Sequence, residues 1–287
     1  MTDNYGKLYV VATPIGNLAD FSFRAVEVLK QVDCIAAEDT RHVRMLLQHY
    51  GITNKLLSLH QQNEERIVPT LLEKLQQGLS IALVSDAGTP LISDPGMPLV
   101  RAIRNANIDV SPIPGPCALI AALSVSGLPL NRFEFEGFLP RTSSARKTFF
   151  TEKLNCPSTW VFYESSHRIL ACLQDLLAIF PEDREIVIAR EITKLHETIV
   201  KTSLKEAVDR VEQDPNMQKG EFVVMVAGSP VKATEQGLSE EQRRIIEILI
   251  AECSIKTAVT LAVDITGAPK NLLYQAALDF KNTEHGE

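Results

Sequence analysis

Cysteine is scarce here and carries no pattern. Cys34, Cys117, Cys156, Cys172 and Cys253 are dispersed without any C-x-x-C spacing. An odd, scattered set excludes a disulfide framework and offers no paired Cys/His spacing for structural zinc. The thiols are expected to be reduced and structural, Cys117 being of interest for its position. Long apolar runs are also missing, since no stretch approaches the ~20 residues that span a bilayer. The opening Met1-Thr2-Asp3-Asn4 has neither the basic region nor the apolar core of a signal peptide. These absences predict a cytoplasmic protein with no membrane partner and no metal. A positive excess is missing too. The net charge is −7, and nucleic-acid affinity comes mainly from Lys and Arg against phosphate, so any such affinity has to come from local clusters. Finally, there is no G-x-G-x-x-G, which removes the pyrophosphate cradle of a dinucleotide fold.

What is present is a chain of 287 residues, 45% hydrophobic and 23% charged, a composition suited to globular cores. Short apolar runs alternate with amphipathic stretches. Strands are predicted at Leu8–Thr13, Cys34–Ala37, Leu56–Leu59, Ile81–Ser85 and Val110–Ile113, then Phe133–Phe138, Trp160–Tyr163, Ile186–Ala189 and Phe222–Ala227. Helices are predicted at Phe23–Gln31, Arg66–Gln77, Pro98–Asn105, Ala118–Ser126, Ile169–Phe180 and Leu204–Glu212. Runs that are apolar throughout suit strands covered on both faces, and the alternation predicts an α/β architecture. Punctuation at Gly115-Pro116 and Gly127-Leu128-Pro129 divides a first domain, 1–124, from a second, 125–230, and Lys232–Gly237 reads as a polar linker.

A helical extension is expected over 238–287. Ser239 and Gln242 fit a capping box, followed by Ile245, Ile246, Leu249 and Ile250 on one helical face. A second helix is expected from Ser254, with Ala258, Leu261, Ala262 and Ile265 inward, and a third over Asn271–Leu278 after the Gly267-Ala268-Pro269 break. The unit reads equally as a helix-turn-helix or as a helical cap.

Three turns in the first half follow strands and are rich in Pro, Gly and small residues. They are Thr13-Pro14-Ile15-Gly16, Ser85-Asp86-Ala87-Gly88-Thr89-Pro90-Leu91-Ile92-Ser93-Asp94-Pro95-Gly96, and Pro114-Gly115-Pro116-Cys117-Ala118. Ligands of open α/β sheets sit at such strand ends, and small residues let backbone approach a ligand closely. Three of them argue for one convergent cleft. Charged segments follow other strands: Glu38-Asp39-Thr40-Arg41-His42-Val43-Arg44, Tyr163-Glu164-Ser165-Ser166-His167-Arg168, and Arg190-Glu191-Ile192-Thr193-Lys194. Glu38 and Asp39 suit acid/base work and Arg41 and Arg44 suit phosphate, or the four pair with one another. Arg141, Arg146, Lys147 and Lys153 make a local basic patch beside Phe149 and Phe150, which an ordinary amphipathic helix would also produce.

Taken in order, VATPIGNLAD, EDTR, SDAGTPLISDPG, PGPCALIAALSVSGLP, FEGFLP, FYESSHR, AREITKLHE and KGEFVVMV resemble the tetrapyrrole-methylase superfamily. Within it they resemble the bacterial small-subunit rRNA (cytidine) 2′-O-ribose methyltransferases. The resemblance covers about residues 7–228, and the tail resembles that branch's helix-turn-helix extension. It implies two α/β domains with S-adenosylmethionine in the cleft between them, a homodimer, and ribosomal RNA or the small ribosomal subunit as partner. By position it implies donor contacts at Pro14, Asp86, Ala87, Gly88, Thr89, Ile92, Cys117, Ala118, Glu164 and Ile192. The Gly-Asp-Pro of tetrapyrrole enzymes is replaced by Gly88-Thr89-Pro90, with Asp86 three residues before Thr89.

Charge clustering after strands makes Glu191 the expected base and Lys194 its electrostatic helper, with Asp39 second. Arg41, Arg44, Arg146, Lys147 and Arg168 are expected on RNA phosphate. Two other readings compete. One is a methyltransferase acting on a tetrapyrrole or other small molecule, against which the basic segment and the extra helices speak. The other is a non-catalytic protein that binds S-adenosylmethionine or ribosomes.

Overall fold

The computed structural model describes residues 5–229 and 238–284, with side chains to Phe280. The Met1–Asn4 segment and the expected linker Lys232–Gly237 lie outside the described residues. The chain divides into two compact units, Met1–Gly228 and Ser229–Glu287.

The larger unit holds two five-stranded sheets. The first is built from β1 (Leu8–Val11), α1 (Phe23–Gln31), β2 (Cys34–Ala37), α2 (Thr40–His49), β3 (Leu56–Ser58), α3 (Glu64–Gln76), β4 (Ile81–Val84), α4 (Met97–Asn105) and β5 (Val110–Ile113). Its strands are all parallel, in the order β3-β2-β4-β1-β5. The chain moves one way across the sheet to β3 and then turns back. Right-handed crossovers therefore put α1 and α2 on one face and α3 and α4 on the other. Two separate cores record this: Ala25, Leu29, Val43 and Leu47 pack on one side, Leu71, Leu75, Leu99 and Ile103 on the other. Burial on both faces explains why β2 and β4 contain only apolar residues.

The second sheet follows α5 (Ala118–Ser126). It comprises β6 (Phe133–Phe138), α6 (Ser143–Lys153), β7 (Thr159–Ser165), α7 (Ile169–Leu177), β8 (Glu185–Arg190), β9 (Thr198–Ser203), α8 (Leu204–Gln213) and β10 (Glu221–Val226). The order is β6-β7-β10-β8-β9, with β6 and β7 parallel and β10 antiparallel to both neighbours. Helices α6 to α8 cover one face around Trp160, Phe150 and Phe162. Leu119, Ala122 and Leu123 of α5 cover Val161, Val187 and Met225 on the other. The division expected at 124–125 falls inside α5, and both sheets belong to one compact unit.

Three elements escape the apolar pattern. The edge strand β9 alternates partly exposed positions in Thr198-Ile199-Val200-Lys201-Thr202-Ser203 and has no apolar run. Helix α2 opens with charge and shows its inner face only through Val43 and Leu47. Helix α6 buries Arg146 beside Phe150, so its inward face is not apolar.

The smaller unit contains α9 (Glu240–Glu252), α10 (Ile255–Thr266) and α11 (Lys270–Glu284). The capping box forms as expected: Ser239 Oγ accepts from the Gln242 amide at 3.1 Å and Gln242 Oε1 from the Ser239 amide at 2.9 Å. Gly267 ends α10 in the left-handed conformation. The inner face of α10 differs from expectation. Ala258, Val259 and Ala262 are buried, whereas Leu261 and Ile265 are 41% and 62% exposed. Small residues let the neighbouring helices come close, and the larger side chains are turned outward.

Candidate active site

The strand ends of the two sheets converge on a cavity of about 400 Å³, within the range of about 300–1,000 Å³ typical of small-molecule sites. From the first sheet come Ile15 after β1, Glu38 after β2, Asp86 to Thr89 and Ile92 to Asp94 after β4, and Cys117 and Ala118 before α5. From the second come Phe138, Tyr163 to Ser165, Glu191, Ile192 and Lys194, and Glu221 to Val223. Because β10 runs opposite to β7 and β8, its start lies beside their ends. That reversal is why the start of β10, just after Gly220, joins the wall.

The loops are tied to one another by backbone. Thr13 and Gly88 exchange amide–carbonyl bonds of 2.9 and 3.1 Å. Thr89 Oγ1 donates to the Pro116 carbonyl at 3.1 Å, fixing the second loop to the third. Leu91 and Ser93 hold φ of 73° and 69°, a conformation costly for residues with a Cβ and kept only where surroundings impose it. Gly16 passes so close to the second half that a Cβ there would lie 2.4 Å from Lys194 Cγ.

The expected donor contacts Asp86, Ala87, Gly88, Thr89, Ile92, Cys117, Ala118, Glu164 and Ile192 all line this cavity. Pro14 does not; it turns the chain so that its neighbour Ile15 forms the wall. Of the expected catalytic residues, Glu191 and Lys194 are on the wall and joined at 2.8 Å. Lys194 also meets Glu221 at 2.9 Å. Burial alone would raise the Glu191 carboxyl, but the Lys194 ammonium and the Glu221 amide outweigh it and hold it below the usual range. For Lys194 burial acts downward, and the two carboxylates outweigh it and keep the amine protonated.

Asp39 has a different job. Its carboxylate caps α2, accepting from the Arg41 amide at 2.8 Å and pairing with the Arg41 guanidinium at 2.7 Å. It points away from the wall, and Glu38 takes the place toward the cavity. Burial pushes the Glu38 carboxyl up to about 7, reinforced by the charges of Asp94, Asp86 and Asp39. Burial also raises Asp94 to about 6, with Asp86 adding and a hydrogen bond from Ser85 opposing. Asp94 stood in a motif already read as a ligand loop, but its side chain was not singled out. Phe138 and Glu221 were missed because each follows only a single glycine, Gly137 and Gly220, outside the Pro/Gly-rich turns and charge clusters that mark the other loops.

The expected phosphate contacts separate into two groups. Arg146 is a correction: its side chain is 5% exposed and meets Asp175 of α7 at 2.5 Å, joining α6 to α7 inside the fold. Arg168 likewise serves the structure, donating to the Leu139 and Pro140 carbonyls at 2.8 and 3.0 Å and pairing with Glu164 at 3.1 Å. Lys147 is half exposed and reaches Asp175 at 3.5 Å. Arg41 and Arg44 are exposed on α2. None of the five lines the cavity. Among the described residues no group of His, Cys, Asp and Glu is arranged to hold a metal ion.

Comparison with known proteins gives this geometry its relatives. A family model described as Tetrapyrrole (Corrin/Porphyrin) Methylases matches residues 7–208. The chain belongs to that family. A second model, described as the RsmI C-terminal HTH domain, matches residues 236–281. Two curated relatives both carry the name Ribosomal RNA small subunit methyltransferase I. The protein from Escherichia coli O157:H7 is 51% identical over 96% of this chain and 96% of its own length. That from Haemophilus influenzae is 49% identical over 97% of this chain and 98% of its own. The tetrapyrrole-methylase fold is seen in solved structures of far lower identity. A diphthine synthase aligns with TM-score 0.58 at 15% identity, covering 77% of this chain and 90% of that one. The cobalt precorrin-4 methyltransferase CbiF aligns with TM-score 0.56 at 18% identity, covering 77% and 94%.

Proposed function

We propose that this tetrapyrrole methylase family member transfers a methyl group from S-adenosylmethionine to the ribose 2′-hydroxyl of a cytidine in small-subunit ribosomal RNA. The observation that carries the reading is its identity of about half, over nearly full length, with relatives named small-subunit rRNA methyltransferases. The cavity suits the donor by its chemistry. S-adenosylmethionine brings an electrophilic methyl on a cationic sulfonium, and an ammonium as well. Glu38, Asp86 and Asp94 make the wall acidic to match. The loop around Gly88 exposes backbone for close approach.

The roles of the chain's own groups follow. Glu191, ionised and fixed by two hydrogen bonds, accepts the hydroxyl proton. Lys194, kept cationic by Glu191 and Glu221, favours the alkoxide that develops as the proton leaves. A positioned base contributes on the order of 10²–10⁴-fold, and alignment of acceptor with donor contributes more. Arg41, Arg44 and Lys147 offer exposed cations for phosphate outside the cavity.

We read the active form as a cytoplasmic homodimer, following the family resemblance; sedimentation of the purified chain tests the stoichiometry. Among the described residues no helix is long and apolar enough to cross a membrane. The deciding experiment incubates tritiated S-adenosylmethionine and the protein with small ribosomal subunits, with 70S particles and with a uroporphyrinogen. Label in small-subunit rRNA at a ribose supports the reading. Label in the pigment, or none anywhere, overturns it.

A further inference from the structure

Phe138 is the aromatic side chain that the donor site leaves over. It lines the cavity yet is 59% exposed, whereas Phe222 on the same wall is 2% exposed. Its placement is built into the backbone. In an uninterrupted strand, residues 135 and 138 face opposite sides. Here β6 pairs Phe135 with Val161 and Phe138 with Tyr163, so three steps on β6 match two on β7. The extra residue is a bulge of the kind that re-aims a side chain. Gly137 sits in it with φ +64°, where a Cβ would be strained and would lie 3.3 Å from Ser93 Oγ.

As a result both phenylalanines meet the same tyrosine. Phe135 lies edge-on to Tyr163 at 5.0 Å and Phe138 at 5.7 Å. Tyr163 is itself anchored, its hydroxyl accepting from the Leu119 amide at 3.2 Å. Phe138 thus rests against Tyr163 on one side, with its remaining surface in solvent at the cavity's rim. A ring needed only for packing belongs inside, where burying it is worth most. An exposed aromatic ring turned by the backbone toward a group-transfer site instead suits a flat, unstacked partner.

We infer that Phe138 is the platform on which the base of the target nucleotide stacks, bringing its ribose to the cavity. The inference rests on the rRNA methyltransferase reading and adds to it a means of positioning the acceptor. Stacking is tolerant of base identity, so Phe138 sets where the nucleotide lies rather than which base is chosen. The nucleotide has to leave its own stack to reach the cavity, as in other enzymes that act on extruded bases.

The test compares Phe138→Ala, Phe138→Leu, Phe138→Tyr and Phe138→Trp in the tritium assay on small subunits, with donor affinity measured by calorimetry. Phe138→Ala is expected to lower kcat/KM for the subunit by about five- to a hundred-fold, the range of one base stack, with donor affinity unchanged. Tyrosine and tryptophan restore activity and leucine does not. The chain's single tryptophan, Trp160, is fully buried. The fluorescence added by Phe138→Trp should therefore quench with substrate RNA when the protein is already saturated with donor. Normal turnover by Phe138→Ala, rescue by leucine, or loss of donor binding in Phe138→Ala overturns the inference. If the wild-type chain puts no label into rRNA, the parent reading has failed instead.

Discussion

The Asp86 carboxylate accepts a 2.9 Å hydrogen bond from the backbone amide of Asp39. This one contact locks the turn after β4 to the turn after β2. With Asp39 engaged on Arg41, the bond leaves Glu38 as the residue of that turn that faces the cavity, next to Asp86 and Asp94.

Donor affinity should therefore depend on pH. Glu38 and Asp94 titrate at about 7 and about 6 in the free protein, and a cationic donor favours their ionised forms. The sign is fixed: affinity is full above about 7 and is lost as pH falls through about 7 and then about 6. Calorimetry in buffers of different ionisation enthalpy should show proton release on binding near neutrality. Glu38→Gln should remove the upper part of that dependence and weaken binding by roughly tenfold, the size of one pKa unit. Proton release undiminished in Glu38→Gln would contradict the assignment.

Lys194 and Glu191 should fail together. Glu191→Gln and Lys194→Ala are each expected to lower the single-turnover methylation rate by about a hundredfold or more. The double variant should lose little beyond that, because the two act as a bonded pair. Gly16→Ala should reproduce part of the loss without touching either residue, since its new Cβ would press on Lys194 Cγ. Normal rates in both single variants, with donor bound, would remove the pair from catalysis.

The Arg146–Asp175 pair should appear in stability and not in RNA binding. Asp175→Ala strands a buried guanidinium, which costs about 3–5 kcal/mol and is readable in urea denaturation. Arg44→Ala should leave stability unchanged and reduce the salt dependence of RNA binding by about one counterion. A stable Asp175→Ala protein would refute the first expectation, and an unaltered salt slope in Arg44→Ala the second.

How far the sequence reveals the molecule can be traced element by element. Strands β2, β5 and β6 and helices α1 and α5 match their expected ends: β2 is buried on both faces, Ser22 caps the start of α1 and Gly127 ends α5, while the partly exposed edge strands β5 and β6 are marked by the turn residues around them. The edge strand β9 is covered less and so reads weakly. At the site, the Pro/Gly turns announced the loops that line the cavity, since close backbone approach demands small residues. Side-chain direction was another matter. Glu38 and Asp39 are adjacent, and only the cap that α2 requires decides which one turns inward. Arg146 looked like a surface cation, because nothing local reveals that Asp175, a helix away in sequence, neutralises it. Phe138 depends on a bulge, which slips the alternation by one and leaves only Gly137 as its trace.

The reversed direction of β10 also sets a timetable. As the chain leaves the ribosome, its first sheet has every strand it needs once Ile113 is out. The cavity cannot be closed before Val223, more than two hundred residues after Ile15. A nascent chain halted ahead of Glu221 should hold a formed first sheet yet retain no S-adenosylmethionine. Closure of the cavity thus waits on the last strand of the second sheet.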